Sequence, residues 1–356
     1  MSLQSLHVQD FRNLARVDLE FGRLNIVAGP NAAGKTSLLE AIYYLARARS
    51  FRSARPEQLL RTGAQQLLVR GEVALRSGRR VKAGILRAER QTEVHLNGAR
   101  VRNLSELAQY FPVEVINGES QRLLQDGPPV RRSFMNWGMF HVEHNYQSLW
   151  QRYDRALRQR NAALRVGDMR QARAWEPEMA EVGEALADLR EKFCTALWQQ
   201  AAPYLDEWLA GCDMALQHRP GWDRRMGLGE ALAQGRGRDL ELRYTVRGPQ
   251  RGDLWLRSAG VEAQHRLSRG QQKLAVVALK LALAGLQAST APALPILLVD
   301  DLPAELDTQR REQVLQALLA CGSQCFVTCV DADELKLDAD EVRMFHVEHG
   351  QYRKVL

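Results

Sequence analysis

Gly29-Pro30-Asn31-Ala32-Ala33-Gly34-Lys35-Thr36 fits the pattern G-x-x-x-x-G-K-[ST], and what flanks it decides the fold. Ahead of it, Leu24-Asn25-Ile26-Val27-Ala28 reads as a buried strand. Behind it, Leu38, Leu39, Ile42 and Leu45 recur at three- and four-residue spacing, the period of an amphipathic helix. A glycine loop between a strand and a helix turns consecutive backbone N–H groups toward one point, and the helix N-terminus adds its positive dipole end. That arrangement suits a polyphosphate. Residues 29–37, Ser37 included, form the candidate nucleotide-binding set. Within it Lys35 reaches the β- and γ-phosphates, and the Thr36 hydroxyl takes a Mg²⁺ position.

Such a loop needs an apolar strand ending in acid, and Pro295-Ile296-Leu297-Leu298-Val299-Asp300-Asp301 supplies it. Asp300 is placed to hold Mg²⁺ directly or through water, and Asp301 to orient or deprotonate an attacking water. A third element, Leu267-Ser268-Arg269-Gly270-Gln271-Gln272-Lys273, precedes an apolar helix carrying Leu274, Val277 and Leu281. It resembles the LSGGQ signature of ABC-type ATPases, with Arg269 where many members have glycine. A signature helix contacts a γ-phosphate already held by another subunit's loop, through the Ser268 hydroxyl, the Gly270 N–H, Gln271 and the helix dipole.

The remaining patterns place these parts in two lobes. Short alternating runs open the chain, and a strand meander spans 66–101, with Gly78 and Asn97-Gly98 as turns. After a strand at 113–116 a helical pattern runs for more than a hundred residues and holds six of the seven tryptophans. Tyr146, Trp150, Tyr153, Leu157 and Leu164, then Met179, Val182, Leu186, Leu189, Phe193 and Ala196, follow a 3.5-residue rhythm of two to three heptads each. They predict a short antiparallel helix pair around a polar turn at Gly167-Asp168. The glycine-rich, charged stretch 221–237 reads as a mobile linker, and strand patterns resume at 240–246. The expected architecture is α/β: an ATPase core with a mixed, largely parallel sheet and flanking antiparallel strands, plus an inserted helical lobe. The expected divisions are 1–116 and 239–356 for the core and 117–238 for the lobe.

Thr36 and Ser268 lie too far apart for a compact transporter ATPase and too close for the long coiled-coil arms of SMC proteins. Phe11-Arg12-Asn13, Ser50-Phe51-Arg52, Arg131-Arg132-Ser133-Phe134 and Gln159-Arg160-Asn161-Ala162-Ala163-Leu164 resemble the RecF family, bacterial repair ATPases related to SMC proteins. The resemblance runs essentially the whole chain. It implies an ATP- and Mg²⁺-dependent DNA-binding protein that dimerises on nucleotide and hydrolyses it slowly. It further implies replication, DNA-damage and SOS-response work at single-strand gaps and junctions with duplex, where the protein, with a recombination-mediator partner, helps load recombinase. By position, residues 29–36 would be the Walker A loop, Ser268 to Gln271 the signature, Asp300 and Asp301 the Walker B pair, and Ala304-Glu305-Leu306-Asp307 the D-loop. Asn117 to Glu119 falls at the Q-loop position without a glutamine, and Thr328 is the candidate switch residue. Ala32 replaces a usual glycine, which stiffens the loop. Asp301 replaces a usual glutamate one methylene longer.

Composition agrees with this class. The chain has 356 residues, 49 Lys plus Arg against 42 Asp plus Glu, a formal charge of +7 and 45% hydrophobic residues, which excludes a disordered or collagen-like chain. No window approaches eighteen uncharged apolar residues and no secretion signal opens the chain, so a cytoplasmic protein without membrane partners is expected. Five cysteines without a Cys-x-x-Cys pair read as reduced structural thiols. Phe-His-Val-Glu-His occurs at 140–144 and 345–349, once in helical and once in strand context, and reads as packing residues rather than a metal site. Arg47, Arg49, Arg52, Arg55 and Arg61 are candidates for DNA phosphate contact, against a solvated or nucleotide-facing segment. Arg158, Arg160 and Arg165 are a second set. Binding by backbone and shape follows from the absence of any base-reading motif. Two other readings stand beside this one: an ATPase subunit energising membrane transport, and a nucleotide-gated DNA scaffold without catalysis.

Overall fold

The computed structural model describes all residues except 1, 89–90, 102, 302–305, 332–341 and 356. The first part of the chain forms β1 (Leu3–Phe11), β2 (Leu14–Glu20), β3 (Leu24–Ala28), α1 (Lys35–Arg47), β4 (Gln66–Ala74), β5 (Arg80–Ala88), β6 (Gln91–Leu96), β7 (Ala99–Val101), α2 (Leu104–Ala108) and β8 (Val113–Ile116). Then come α3 (Arg122–Gln125), α4 (Pro128–Val142), α5 (Tyr146–Val166), α6 (Met169–Ala174), α7 (Glu176–Trp208), β9 (Met214–Arg219), α8 (Leu228–Leu242), β10 (Asp253–Ser258), β11 (Val261–Glu262) and α9 (Ala263–Arg266). The last part is α10 (Arg269–Thr290), β12 (Ile296–Val299), α11 (Thr308–Ala320), β13 (Gln324–Cys329), β14 (Val342–Glu348) and β15 (Gln351–Lys354). Two compact units result, Met1–Ser120 with Lys280–Leu356, and Gln121–Leu279.

The first unit holds two sheets. One has the order β15-β14-β3-β13-β12-β8, with every neighbouring pair parallel except the edge pair β14 and β15. β3, β8, β12 and β13 are buried at every position, as parallel strands covered on both faces are, and their polar residues Asn25, Glu114, Gln324 and Thr328 are buried with them. Their C-terminal ends share one edge, the edge where open α/β sheets bind ligands. The other sheet is the antiparallel meander β2-β1-β4-β5-β6-β7. Helix α1 is buried along most of its length, and its Leu45 side chain lies 2.6 Å from where a Cβ at Gly71 of β4 would stand. Only glycine at 71 admits the helix so closely.

In the second unit α5 and α7 run antiparallel: Tyr146 bonds Arg190, and Arg160 bonds Glu176. α7 is longer than the heptads foretold, 33 residues running through Pro203, and α6 fills the polar turn. Arg160 and Arg190 have no exposed surface; Arg160 bonds Asp239 at 2.7 Å and Glu176 at 3.1 Å, and Arg190 lies over the Trp150 ring. Buried charges persist only when paired in this way.

The structure corrects several expectations. The 221–237 linker contains most of α8, because Leu228, Ala231, Leu232, Gly235 and Asp239 form a buried stripe that the glycine-rich composition hides. Leu228 rests where a Cβ at Gly183 of α7 would stand, and burying each leucine contributes about 1.5–3 kcal/mol. No strand forms at 240–246. There the helix ends, and the Asp239 and Asn161 side chains accept the Val246 and Thr245 N–H groups. The helical run is broken by β9, which pairs with β10. Together with the bidentate Arg131–Asp253 pair, that pairing holds residues 239–279 in the second unit, so the return to the first comes at Lys280. Arg160 is ion-paired in the core and is no surface contact. Helix α10 is long and apolar enough, by length and composition, to cross a membrane, and 67% of its apolar stretch is buried.

Candidate nucleotide site

At the C-terminal edge of the parallel sheet lies a cavity of about 910 Å³, walled by Asn31 through Ser37 except Ala33, by Asp300, Asp301 and Thr328, and by Arg12, Asn13, Arg52, Gln58, Leu60, Arg61 and Thr62. The glycine loop is braced from outside. Gly350 N–H donates to Ala33 O and the Tyr352 hydroxyl to Gly34 O, each at 2.8 Å, and Asn13 Nδ2 donates to Ala32 O at 3.3 Å. The strand β14 passes so near Gly29 that a Cβ there would stand 2.2 Å from Val347 O. Gly34 adopts φ 125°, and Ala32 sits in the left-handed region at φ 62°.

Lys35 is buried, and its Nζ donates to Gly29 O at 2.6 Å and Pro30 O at 3.0 Å, so the ammonium lies curled within the loop that a polyphosphate would enter. Gly29, Pro30 and Ala33 shape the loop by backbone; Asn31, Ala32, Gly34, Lys35, Thr36 and Ser37 face the cavity.

The acidic strand comes in from the sheet. Thr36 Oγ1 donates to Asp300 Oδ1 at 2.9 Å, Thr328 Oγ1 donates to the same oxygen at 3.1 Å, and Asp301 N–H donates to Thr328 Oγ1 at 2.7 Å. β13 lies between β3 and β12, which puts Thr328 between the loop and the acid. Burial pushes the Asp300 carboxyl above its ordinary range, opposed by its two hydroxyl partners and by Arg52. A half-buried carboxylate beside a threonine hydroxyl is a set of hard oxygen donors, which fits Mg²⁺. Asp301 is exposed, at φ 53°.

Ser268, Gly270 and Gln271 lie in the second unit. Ser268 Oγ accepts from Gln271 N–H at 3.3 Å while Gln271 Oε1 accepts from Ser268 N–H at 2.9 Å, a capping box that starts α10. Ser268 is exposed, and nothing stands within 4 Å of a Cβ placed at Gly270, so this helix start is open. Of the D-loop, Ala304 and Glu305 lie outside the described residues; Leu306 is buried, and Asp307 caps α11 by accepting Arg310 N–H. Asn117-Gly118-Glu119 folds as a turn after β8, and the cavity wall does not include it.

Local reading of the sequence missed the second wall. Arg12 and Asn13 carried only a family likeness, Arg52 that likeness and a place in the arginine-rich stretch, and Gln58, Leu60 and Thr62 carried neither. Of the arginine-rich stretch, Arg52 and Arg61 face the cavity, and Arg47 lies over the Tyr43 ring. All five cysteines are free.

The sequence profile of the RecF/RecN/SMC N terminal domain matches residues 2–353. Over 359 residues the chain is 42% identical to the DNA replication and repair protein RecF of Pseudomonas aeruginosa (strain UCBPP-PA14), covering 99% of this chain and 97% of that one. It is 41% identical over 358 residues to RecF of Azotobacter vinelandii, covering 99% and 98%. Among solved structures it is similar to the recombination mediator protein RecF with ATP in the RecFOR pathway, with TM-score 0.86, 24% identity and coverage of 100% and 98%. The Pyrococcus furiosus Smc head domain gives TM-score 0.63 at 14% identity, with coverage of 100% and 96%. The likeness of fold to these structures joins a family profile and close relatives that each span nearly the whole chain, and the chain belongs to the RecF family.

Proposed function

We propose that this chain is an ATP-binding protein of DNA replication and repair that clamps DNA when two copies close on nucleotide. The observation that carries the reading is the convergence of Lys35, Thr36, Asp300 and Thr328 on one cationic cavity. Lys35 neutralises β- and γ-phosphate oxygens and loop N–H groups bond them; Thr36 with Asp300 would hold Mg²⁺, which when bound would spread the developing phosphate charge. Asp301 orients the attacking water. Its shorter side chain and left-handed backbone set it less well than a glutamate, which supports slow turnover.

The open start of α10 supports dimerisation on ATP. Ser268, Gly270 and Gln271 offer a hydroxyl, an N–H and a helix dipole without a glycine cradle of their own, so they suit a γ-phosphate held by a second copy. Hydrolysis then removes contacts from the interface. Arg49 and Arg55, both exposed, remain as candidate DNA phosphate contacts, with Arg158 and Arg165 on α5. The relatives are named for DNA replication and repair and for the RecFOR pathway; gaps and single-strand junctions with duplex as the DNA form, a recombination mediator as partner and the cytoplasm as the compartment belong to this reading.

The test is binding to gapped and blunt DNA with ATP, ADP or neither, at two salt concentrations, alongside sedimentation with Mg²⁺ and ATP. Dimers with ATP only, and gapped-DNA affinity falling steeply with salt, are expected. Monomer under all conditions, or a flat salt response, sinks the reading.

A further inference from the structure

Two sequence marks that the function above does not use, Phe11-Arg12-Asn13 and Ser50-Phe51-Arg52, meet at one buried carboxylate. Glu40 of α1 is 0% exposed. Its oxygens accept Arg12 Nε at 2.9 Å, Arg12 Nη2 at 2.7 Å and Arg52 Nη1 at 3.4 Å, and the Ser50 hydroxyl as well. Ser50 Oγ in turn accepts Arg52 N–H at 2.8 Å and Ser53 N–H at 2.9 Å, so the turn bearing Arg52 is tied to the same group. Arg12 Nη1 donates to Gln58 O at 2.7 Å. A guanidinium has five N–H groups, so among the described residues the second hydrogen of each Arg12 terminal nitrogen is unspent. Both arginines line the cavity, and Arg52 lies near enough to lower the Asp300 carboxyl against its burial.

We propose that Glu40 is a positioning residue of the nucleotide site. It holds Arg12 and Arg52 as a preorganised cationic wall whose unspent N–H groups bond the phosphate oxygens of the nucleotide seated on Lys35. Without a shared anion, two guanidiniums this close repel and sample many rotamers. With it, both forks keep their geometry before the ligand arrives, and less ordering is lost on binding. Glu40 itself touches no ligand. This inference rests on the nucleotide reading above.

The test measures whether Glu40 acts through the arginines, using the full chain and MgATP. Glu40→Gln keeps the size and drops the charge. It is expected to lower the thermal midpoint through the lost buried pair and, at a temperature where the variant is still fully folded, to weaken MgATP binding about tenfold. On an Arg12→Ala/Arg52→Ala background the same change is expected to add less than about twofold, because the groups it positions are gone. A full tenfold loss on that background, or unchanged binding in the single variant, overturns the proposal. Should Glu40→Gln fail to fold, Arg12→Lys with Arg52→Lys keeps the charges and loses the forks. Weaker MgATP binding there supports the proposal, and unchanged binding overturns it. Lys35→Ala separates the two layers. If it leaves MgATP binding intact, the nucleotide reading falls; if it abolishes binding while Glu40→Gln changes nothing, only the positioning role falls.

Discussion

Thr36 Oγ1 donates a 2.9 Å hydrogen bond to Asp300 Oδ1, joining residues 264 positions apart in the chain. The hydroxyl that begins α1 and the acid that ends β12 meet because β13 sits between β3 and β12 and brings Thr328 to the same oxygen. The pair sets two oxygen donors side by side in the wall of the cavity that the phosphate loop lines.

Ala32 pays for its left-handed backbone at φ 62°, a conformation that costs an L-residue roughly 1–2 kcal/mol. Ala32→Gly is expected to raise stability by about 0.5–1 kcal/mol after the extra chain entropy of glycine is subtracted. The denaturant midpoint of the nucleotide-free chain measures it. A lower midpoint would mean that the Ala32 methyl packs usefully.

Ser268→Ala should cost about 1 kcal/mol, the usual value of an N-cap, since its hydroxyl accepts the Gln271 N–H. Ser268→Arg should leave ATP binding to the loop intact and abolish the ATP-dependent dimer, because the bulk and charge stand at the open helix start. Sedimentation with and without Mg²⁺ and ATP reads this; a dimer formed by Ser268→Arg argues against a second-copy role.

His218 is pushed down to about 4 by burial, with Arg190 and Arg224 adding repulsion and Asp253 opposing. It therefore stays neutral, with Nδ1–H donating to Glu191 at 3.1 Å. The folded value lies below the unfolded one, so between them the unfolded chain binds the extra proton. The contribution is complete above about pH 6.5 and is lost as pH falls toward 4, reaching about 3 kcal/mol. Urea midpoints at several pH values should fall more steeply for the parent than for His218→Phe; parallel profiles would contradict this.

Cys321 is lowered to about 6, chiefly by the hydrogen bond from Cys325 and against burial, whereas burial pushes Cys194 up to about 12. The thiolate is the nucleophile, so iodoacetamide at pH 7 should label Cys321 ahead of Cys194. Cys325→Ala should slow that labelling several-fold. Peptide mapping after brief exposure distinguishes the outcomes.

Much of this was legible in the sequence where chemistry is local. The loop at 29–36 sits between a strand and a helix as read, and the run 296–299 is a buried strand ending in Asp300. The meander appears as β4 to β6, and the 3.5-residue rhythm forms the α5 and α7 pair. What misled was composition without context. The stretch 221–237 reads as a linker until Gly183 leaves room for Leu228, and Arg160 reads as a surface cation until Asp239 and Glu176 surround it.

The sequence by itself determined the phosphate loop, its acidic partner strand and the helix that follows Ser268, because each depends on neighbours within a few residues. Only the tertiary structure decided that Arg12, Arg52 and Ser50 share Glu40, that Thr328 lies between the loop and the acid, and that Tyr352 and Gly350 brace the loop. Those contacts follow from which strands lie side by side, and strand order is chosen by the burial of whole faces, a quantity no short window of residues contains.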